Sequence, residues 1–367
     1  MTDLLSRFVL PVSLLLSLIA GGCIYLILLN RYLLLLSDGP GKKLALRGVL
    51  LLMVVVSLLF GQWAAGKLWM GLPIGVCLAV IAGEMHRAAL RRQYAGEGPV
   101  HADNAGVTLG SPITTTDLAV YRYRLSTPNW RGEPLRIAHV SDLHLNGDLP
   151  TAYYRATLER VAQARPDLLF YTGDLVTRPE YAAALPDLLR IARGRLATIA
   201  VLGNHEYWVG HEPVVEALQA AGVTWLSDRI IRFDHNGQTI AVCGYETPWS
   251  RVVWQPPRAR ANDLALIVTH TPDNIYRLSG LGYTAVFAGH YHGGQVRLPW
   301  FGPIIIPSRY GRRFDHGHYV VNGTHLFITA GVGSAVPPRR IYCKPDVFIV
   351  DIVAAPAAGT GPTGSSV

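Results

Sequence analysis

Cysteine is scarce in this 367-residue chain, which contains only four. Cys23 and Cys77 lie in strongly apolar stretches, so Cys243 and Cys343 are the only two in the remainder of the chain. Cysteines at this spacing form no Cys-x-x-Cys metal site and no disulfide framework, which excludes a small disulfide-stabilised secreted protein. The low cysteine content fits a reducing compartment.

Charged residues are also few, at 16% of the chain, although the formal net charge is +8. No zinc-finger spacing, basic helix or stacked-aromatic signature accompanies the positive charge, so no nucleic-acid partner is predicted. Late in the chain lies a group of five arginines, Arg309, Arg312, Arg313, Arg339 and Arg340. Such residues usually form a solvated surface, and the alternative is contact with an anionic phosphate or a lipid headgroup.

Three long runs near the N-terminus lack charge almost completely. Residues 8–29 contain no fully charged side chain, and about 20 apolar residues suffice to cross a bilayer. Two further runs cover residues 48–65 and 68–83, of which the last is short for a span. The alternatives are buried core helices or a cleaved signal peptide, but no small-residue cleavage site follows Leu29. The sequence therefore predicts two or three transmembrane helices.

Lysine and arginine residues at the ends of these runs predict an orientation. The first loop and the segment after the third run carry seven of them: Arg31, Lys42, Lys43, Arg47, Arg87, Arg91 and Arg92. The opposite side has only Arg7 and Lys67. With three spans, we expect an inner-membrane, multi-pass protein whose long C-terminal part faces the cytoplasm. If the third run does not cross, the orientation must be derived anew.

Composition divides the chain into four regions. Residues 1–92 form the predicted membrane anchor, 93–134 a linker with a lead-in strand, 135–353 a folded domain, and 354–367 a tail. In the linker, residues 119–125 alternate apolar and basic side chains, as an edge strand would. The tail consists of residues too poor in apolar content to fold, so it is predicted to be disordered.

Strand and helix signals alternate in the folded domain. Buried strands at residues 135–140, 168–171 and 197–202 are each followed by helical stretches near 152–163, 181–192 and 212–220. Further strands follow without comparable helices, at 240–245, 264–269, 285–288, 326–329 and 347–353. The first part predicts β-α-β units, and the whole predicts an α/β fold built as a mixed two-sheet sandwich.

Polar motifs follow five of the strands. They are Ser141-Asp142-Leu143-His144, Thr172-Gly173-Asp174, Gly203-Asn204-His205-Glu206, Thr269-His270 and Gly289-His290-Tyr291-His292-Gly293-Gly294-Gln295. Each alone is weak, because a single Asp is more often a helix cap and a single His more often a surface or core residue. Together they place hard oxygen and imidazole ligands at strand ends, where sites in α/β folds collect. Two divalent cations about 3.5–4 Å apart can clamp a phosphoryl group and acidify a bound water.

In this order the motifs resemble those of the calcineurin-like metallophosphoesterase superfamily over residues 135–352. The resemblance implies one metal held by Asp142, His144, Asp174 and His292, and a second held by Asp174, Asn204, His270 and His290. It also implies that His205 is a catalytic histidine that does not bind metal. The ligand types accept Mn, Fe, Zn or Mg, so the identity of the two metals stays open.

Two residues beside the motifs have less definite roles. His139 lies inside the strand before Asp142 and is interpreted as structural. Glu206 either supports the site from behind or is solvated in a loop.

The implied function is hydrolysis of a phosphodiester or pyrophosphate bond by metal-activated water. Residues 296–307 are apolar and residues 308–313 basic, so this stretch either seats an acyl chain and an anionic headgroup or forms a packed hairpin with surface charges. On the first interpretation Arg309, Arg312 and Arg313 bind substrate.

Together with the spans, this stretch is similar to a bacterial membrane-anchored subgroup that includes enzymes cleaving UDP-2,3-diacylglucosamine, although most relatives have one anchor. We therefore predict a membrane-bound phosphohydrolase, with a lipid-linked molecule as one candidate substrate and no protein partner. The alternatives are a general phosphodiesterase, a phosphomonoesterase, or a non-catalytic membrane scaffold. The intact ligand set argues against the scaffold.

Overall fold

The computed structural model describes residues 2–37, 39–335 and 338–356 of the chain. These residues form two compact units. A helical unit contains the residues up to Ala95 together with the segment Trp300–Asp315, and a sandwich unit contains Gly96–Pro299 and the residues from His316 onward. We refer to Trp300–Asp315 as the inserted segment, because it interrupts the sandwich unit in sequence.

Three helices dominate the helical unit. They are α1 (Thr2–Arg31), α2 (Pro40–Ala64) and α3 (Gly71–Gln93). The stretches Phe8–Leu35, Pro40–Ala64 and Leu68–Gln93 are long and apolar enough to cross a membrane, with mean hydropathies of 2.5, 2.4 and 1.8. Helices α2 and α3 extend beyond the predicted apolar runs and include the basic residues that flank them.

Small residues allow α1 and α2 to approach closely. The Ser13 hydroxyl donates a hydrogen bond of 2.7 Å to the Gly61 carbonyl, and a Cβ added at Gly61 would lie 2.9 Å from the Cα of Leu14. Such glycine and serine contacts are the usual way in which apolar helices associate when no hydrophobic force drives them together. This contact is therefore suited to a bilayer as well as to water.

The sandwich unit contains five short or medium helices. They are α4 (Thr151–Gln163), α5 (Leu185–Leu189), α6 (Asn204–Val209), α7 (Glu212–Ala220) and α8 (Ile275–Leu278). One helix prediction was wrong in extent: residues 181–192 form a 3₁₀ turn, Pro179–Ala184, followed by the single-turn helix α5. Pro186 lies near the start of α5, and its missing N–H and fixed φ favour a new helix start over a continuous helix.

Fifteen strands accompany these helices in the part of the chain that the structure describes. They are β1 (His101–Asp103), β2 (Ala119–Thr127), β3 (Leu135–Val140), β4 (Leu168–Thr172), β5 (Ala197–Val201), β6 (Thr224–Trp225), β7 (Arg229–His235), β8 (Gln238–Tyr245), β9 (Leu264–Thr269), β10 (Ala285–Ala288), β11 (Arg297–Leu298), β12 (Gly302–Pro303), β13 (Gly317–Val321), β14 (Thr324–Ile328) and β15 (Asp346–Ala354). Most form two sheets, with strand orders β1-β2-β15-β3-β4-β5-β6 and β13-β14-β10-β9-β8-β7.

The position of β2 corrects the edge-strand prediction. Strand β2 pairs with β1 on one side and runs parallel to β15 on the other, so it lies inside the seven-stranded sheet. The alternation of apolar and basic residues at 119–125 arises because Arg124 points to an exposed face while its neighbours Tyr123 and Leu125 are buried. An alternating pattern reports on the two faces of a strand and not on its edges.

Apolar strand residues form the core between the sheets. Ile137 and Phe170 of the seven-stranded sheet belong to the same buried cluster as Leu266, Phe287 and Phe327 of the six-stranded sheet. A second cluster packs the outer face of the seven-stranded sheet against α4, α5 and α7. The predicted two-sheet α/β sandwich is confirmed. Of the predicted tail, Ala354 still belongs to β15, and residues 357–367 lie outside the described residues.

Candidate metal centre

All seven predicted metal ligands lie at the carboxyl ends of strands. Asp142 and His144 follow β3, Asp174 follows β4, and Asn204 begins α6 after β5. From the other sheet come His270 after β9, and His290 and His292 after β10. Strands β3, β4 and β5 are mutually parallel, as are β9 and β10, so each sheet presents its carboxyl ends at one edge.

Five of these ligands adopt a left-handed backbone conformation. The φ angles are 53° at Asp142, 47° at His144, 52° at Asp174, 67° at His290 and 51° at His292. This region is uncommon for residues other than glycine, and such conformations persist only when the surrounding structure holds them. Hydrogen bonds between neighbouring turns do so, from the amide of Asp142 to the carbonyl of Gly173 at 3.0 Å and from the amide of His144 to the carbonyl of Asp174 at 2.9 Å.

The first ligand group consists of Asp142, His144, Asp174 and His292. The Nε2 atoms of His144 and His292 are 3.0 Å apart. His144 Nε2 lies 3.5 Å from Asp174 Oδ2, and His292 Nε2 lies 3.5 Å from Asp142 Oδ1. All four side chains are buried, so their donor atoms converge on one point away from bulk water.

The second group contains Asp174, His270 and His290. His270 Nε2 lies 3.3 Å from Asp174 Oδ2, 3.1 Å from Asn204 Oδ1 and 3.0 Å from His290 Nδ1. Asn204 therefore joins this group as a neutral oxygen donor. Because Asp174 belongs to both groups, its carboxylate lies where a bridge between two cations would be needed.

In His144 and His270, the Nδ1 atom has a partner outside the centre, so the Nε2 atom is the one that faces it. His144 Nδ1 contacts the Thr177 hydroxyl at 2.9 Å, and His270 Nδ1 donates to the Thr172 carbonyl at 2.6 Å. Metal-binding histidines usually hold their second nitrogen in this way, which leaves the lone pair of the first for the ion. Lone pairs that face each other at about 3 Å repel unless a proton or a cation lies between them, so the donor set fits divalent cations.

Burial and neighbouring charges shift the pKa values of the side chains in the centre. Burial raises the pKa of Asp142 to about 7, and the charge of Asp174 adds to this effect. Burial acts in the same direction on Asp174, but His270 and His205 outweigh it and hold the pKa of that carboxyl well below its ordinary value. Burial lowers the pKa of His144 to about 3, so its ring is neutral and ready to bind a metal at neutral pH.

Glu206 lies behind the centre and is fully buried. Its carboxylate accepts hydrogen bonds from the amides of Asp174 at 3.0 Å, Val176 at 3.0 Å and Gly203 at 2.8 Å. It therefore ties the turn after β4 to the turn after β5, and the structure favours the supporting role over solvation in a loop. His139 is likewise buried, with its Nε2 3.0 Å from the Thr172 hydroxyl.

Arg340 corrects one of the surface interpretations. Its side chain is fully buried, and its guanidinium donates to the carbonyls of His292 at 3.2 Å, Ala330 at 2.7 Å and Gly331 at 3.1 Å. It also bonds the Gly333 carbonyl through Nε at 2.9 Å. Arg340 thus joins the turn that carries His292 to the loop beside Asp142, a role that no local sequence pattern indicates.

His205 differs from the ligands in its exposure. Its ring is only partly buried and lies 4.6 Å from the ring of His144, centroid to centroid. Its amide donates to Asp174 Oδ1 at 3.0 Å.

Trp249 packs against His270 and His290, with ring centroids 5.3 and 5.2 Å away. Trp249, which belongs to none of the motifs, was missed by sequence reasoning.

The three arginines predicted to bind substrate lie in the inserted segment of the helical unit. Arg312 pairs with Glu84 at 2.6 Å, and its guanidinium carbon lies 4.6 Å from the centroid of the Phe301 ring. Arg309 and Arg313 belong to the same segment. Their role in substrate binding stays a prediction.

Comparison with known proteins agrees with this geometry. Residues 135–294 match the family described as Calcineurin-like phosphoesterase. Phosphodiesterase YaeI of Escherichia coli is 27% identical over 237 residues, covering 63% of this chain and 87% of the relative. The uncharacterized metallophosphoesterase YkuE of Bacillus subtilis is 25% identical over 237 residues, covering 58% and 77%. UDP-2,3-diacylglucosamine pyrophosphatase LpxG of Chlamydia muridarum is 28% identical over 217 residues, covering 45% and 66%.

The matched region includes all seven predicted ligands, from Asp142 to His292. The predicted enzyme class, a hydrolase acting on phosphoester bonds, is confirmed by the family and by the names of these relatives. The family match and the buried Asp and His cluster that could bind metal thus agree. Residues 135–294 are thus similar to the calcineurin-like phosphoesterase family, and the geometry of the centre agrees with that likeness.

Proposed function

We propose that this protein is a membrane-anchored, binuclear phosphohydrolase that cleaves a phosphodiester or pyrophosphate bond. One observation carries the proposal: two ligand groups, each with residues from both sheets, share the carboxylate of Asp174. A single-ion site would need only one group, and the facing imidazole nitrogens, 3.0 Å apart in each group, fit a cation bound between them.

The ligand groups, Asn204 and His205 have different roles in the proposed reaction. Two divalent cations held by these groups would clamp the phosphoryl oxygens and make water a better nucleophile. Asn204 contributes a neutral oxygen, which leaves more positive charge at the site for an anionic substrate. His205 lies at the accessible side of His144, where it can give a proton to the departing oxygen.

Contacts within the helical unit support three membrane crossings. Asn30, at the end of α1, and Glu84, in the last part of α3, both bind the inserted segment. The C-terminal ends of α1 and α3 therefore lie on the same side, which requires α2 to run in the opposite direction. The basic residues of the first loop and of α3 share that side, so the positive-inside rule supports a cytoplasmic location for it.

The substrate class follows from the membrane helices and from one relative. LpxG is named for cleaving the pyrophosphate of UDP-2,3-diacylglucosamine, and a lipid-linked pyrophosphate of this kind would reach an enzyme held at the bilayer. Arg309 and Arg313 are proposed to contact its anionic part. General phosphodiesterase activity is the second candidate, favoured by the name of YaeI.

Hydrolysis assays on two substrates test this proposal. The full-length protein with added Mn²⁺ should hydrolyse a soluble bis-aryl phosphate slowly and a lipid-linked pyrophosphate in mixed vesicles more efficiently, because membrane anchoring raises the local concentration of the second. Chelation by EDTA should stop both reactions, and Mn²⁺ should restore them. Hydrolysis of the soluble ester alone would contradict the lipid-linked substrate and favour the second candidate, general phosphodiesterase activity. Turnover that survives chelation would contradict the metal mechanism.

The orientation can be tested with reporters fused after residue 356. A reporter that is active only in the periplasm should stay silent, and one that fluoresces only in the cytoplasm should give signal, because three crossings from an external N-terminus end inside. The same reporters fused after Lys67, in the loop between α2 and α3, should give the opposite result. A periplasmic signal from the C-terminal fusion would contradict the proposed orientation.

A further inference from the structure

The inserted segment is fastened to α1 through one buried side chain. Asn30 is 6% exposed. Its Oδ1 accepts from the amide of Ile306 at 2.5 Å, its Nδ2 donates to the carbonyl of Ile304 at 3.4 Å, and its backbone carbonyl accepts from the amide of Ser308 at 3.2 Å. Ile306 and Ser308 are themselves buried. The middle of the segment is therefore held at the last turn of α1.

Charged residues fasten the same segment to α3. Glu84 accepts from Arg312 at 2.6 Å and from Arg87 at 2.7 Å, and Arg87 also donates to the carbonyl of Arg312 at 3.2 Å. Further along α3, Arg91 pairs with the buried carboxylate of Asp315 at 2.6 Å. The C-terminal end of the inserted segment is thus attached to the polar part of α3.

These attachment points mark a boundary in each helix. The uncharged run of α1 ends at Leu29, directly before Asn30 and Arg31, and the apolar run of α3 ends at Gly83, directly before Glu84. In a helix that crosses a bilayer, the change from apolar to charged residues marks the level of the lipid headgroups. The segment is bound at that level by both helices.

Aromatic side chains of the segment are exposed at this level. Trp300 is 94% exposed, Phe301 47% and Tyr310 42%. A tryptophan with nearly all of its surface accessible is unusual in water. Tryptophan and tyrosine are instead enriched where a protein meets the headgroup region, since their rings are apolar with one polar atom.

We propose that the inserted segment is a bilayer-interface contact, in which Trp300, Phe301 and Tyr310 insert into the headgroup region of the leaflet around the ends of α1 and α3. The inference rests on the membrane anchoring proposed above. Phe301 is oriented by Arg312, whose guanidinium lies 4.6 Å from its ring centroid, so the ion pair with Glu84 also positions the aromatic contact. The segment begins eight residues after His292 in the sequence.

Photocrosslinking of the full-length protein in phospholipid nanodiscs tests this contact. The photoreactive residue p-benzoylphenylalanine is incorporated at Trp300, and in separate samples at Val253, which is 100% exposed in the sandwich unit, and at Leu51 of α2, which is 65% exposed. Mass spectrometry should find roughly tenfold more phospholipid adduct at position 300 than at position 253. If the probe at Trp300 prevents assembly, Tyr310 takes its place.

The Leu51 sample separates this inference from the proposed anchoring. Lipid adduct at position 51 without adduct at position 300 overturns the interface contact while leaving the membrane helices in place. No adduct at position 51 means that the helices are not in the bilayer, and the proposed anchoring fails first. Equal labelling at positions 300 and 253, or a protein dimer as the main product at 300, also overturns the inference.

Discussion

Replacing Asp174 with alanine is expected to lower kcat/KM on any phosphoester at least 100-fold, because the variant loses the carboxylate that both ligand groups share. Loss of even the outer partners of metal ligands typically costs about 10–100-fold in activity or affinity, so loss of the shared ligand should exceed that range. The measurement is steady-state hydrolysis of a bis-aryl phosphate together with metal content by mass spectrometry. The hydrolysis rate and the metal content should both fall in this variant.

Two matched variants make this result specific. Asp174→Asn keeps an oxygen donor but removes the negative charge, so it should retain more metal than Asp174→Ala. Asp187→Ala removes a carboxylate whose side chain is 84% exposed and pairs with Arg190 on the surface, so its activity should equal that of the wild type. Full activity in Asp174→Ala would rule out the shared-ligand mechanism, and a collapse of Asp187→Ala would point to general instability instead.

Replacing His205 with alanine is expected to lower kcat by about 10²–10⁴-fold, the usual contribution of a positioned proton donor. The loss should depend on the leaving group. A nitrophenolate departs without a proton, whereas an alkoxide requires one, so the rate on an alkyl ester should be affected far more. His205 is no member of either ligand group, so the metal content should stay unchanged.

His211→Ala is a suitable control for this experiment. His211 lies just before α7, where its ring packs beside Tyr207 and Trp225, and its loss should leave the rate on both esters near that of the wild type. Equal losses on nitrophenyl and alkyl esters in His205→Ala would argue against proton donation. A drop in metal content would show that His205 acts on the ligands instead.

Most of the fold was predictable because its strands are short and continuously apolar. Strand β3 was predicted with the bounds that the structure shows, and β4, β5 and β9 to within one residue or fewer. The wrong predictions concern the position of β2 in its sheet and the extent of the helix before residue 192. The place of β2 between β1 and β15 depends on β15, more than 200 residues later in the chain, and the break before α5 depends on Pro186.

The residues that could hold a metal were recognisable for a similar reason. Each lies within four residues of the end of a strand, and the resemblance assigned them to two groups whose Asp and His members lie close together in the structure. The supporting residues were not predictable. Arg340 was interpreted as a surface residue and is fully buried. The prediction failed because an arginine has the same appearance in sequence whether its partners are water or backbone carbonyls.

By itself, the sequence determined the chemistry of this protein and the presence of apolar helices, since ligand types, strand-end positions and uncharged runs are local properties. Only the tertiary structure decided that Glu206 and Arg340 hold the ligand turns and that the inserted segment binds α1 and α3. Some of those contacts join residues far apart in the chain, and Asn30 and Ile306 are separated by 276 positions. Their partners are chosen by packing and burial, which no local stretch of sequence contains.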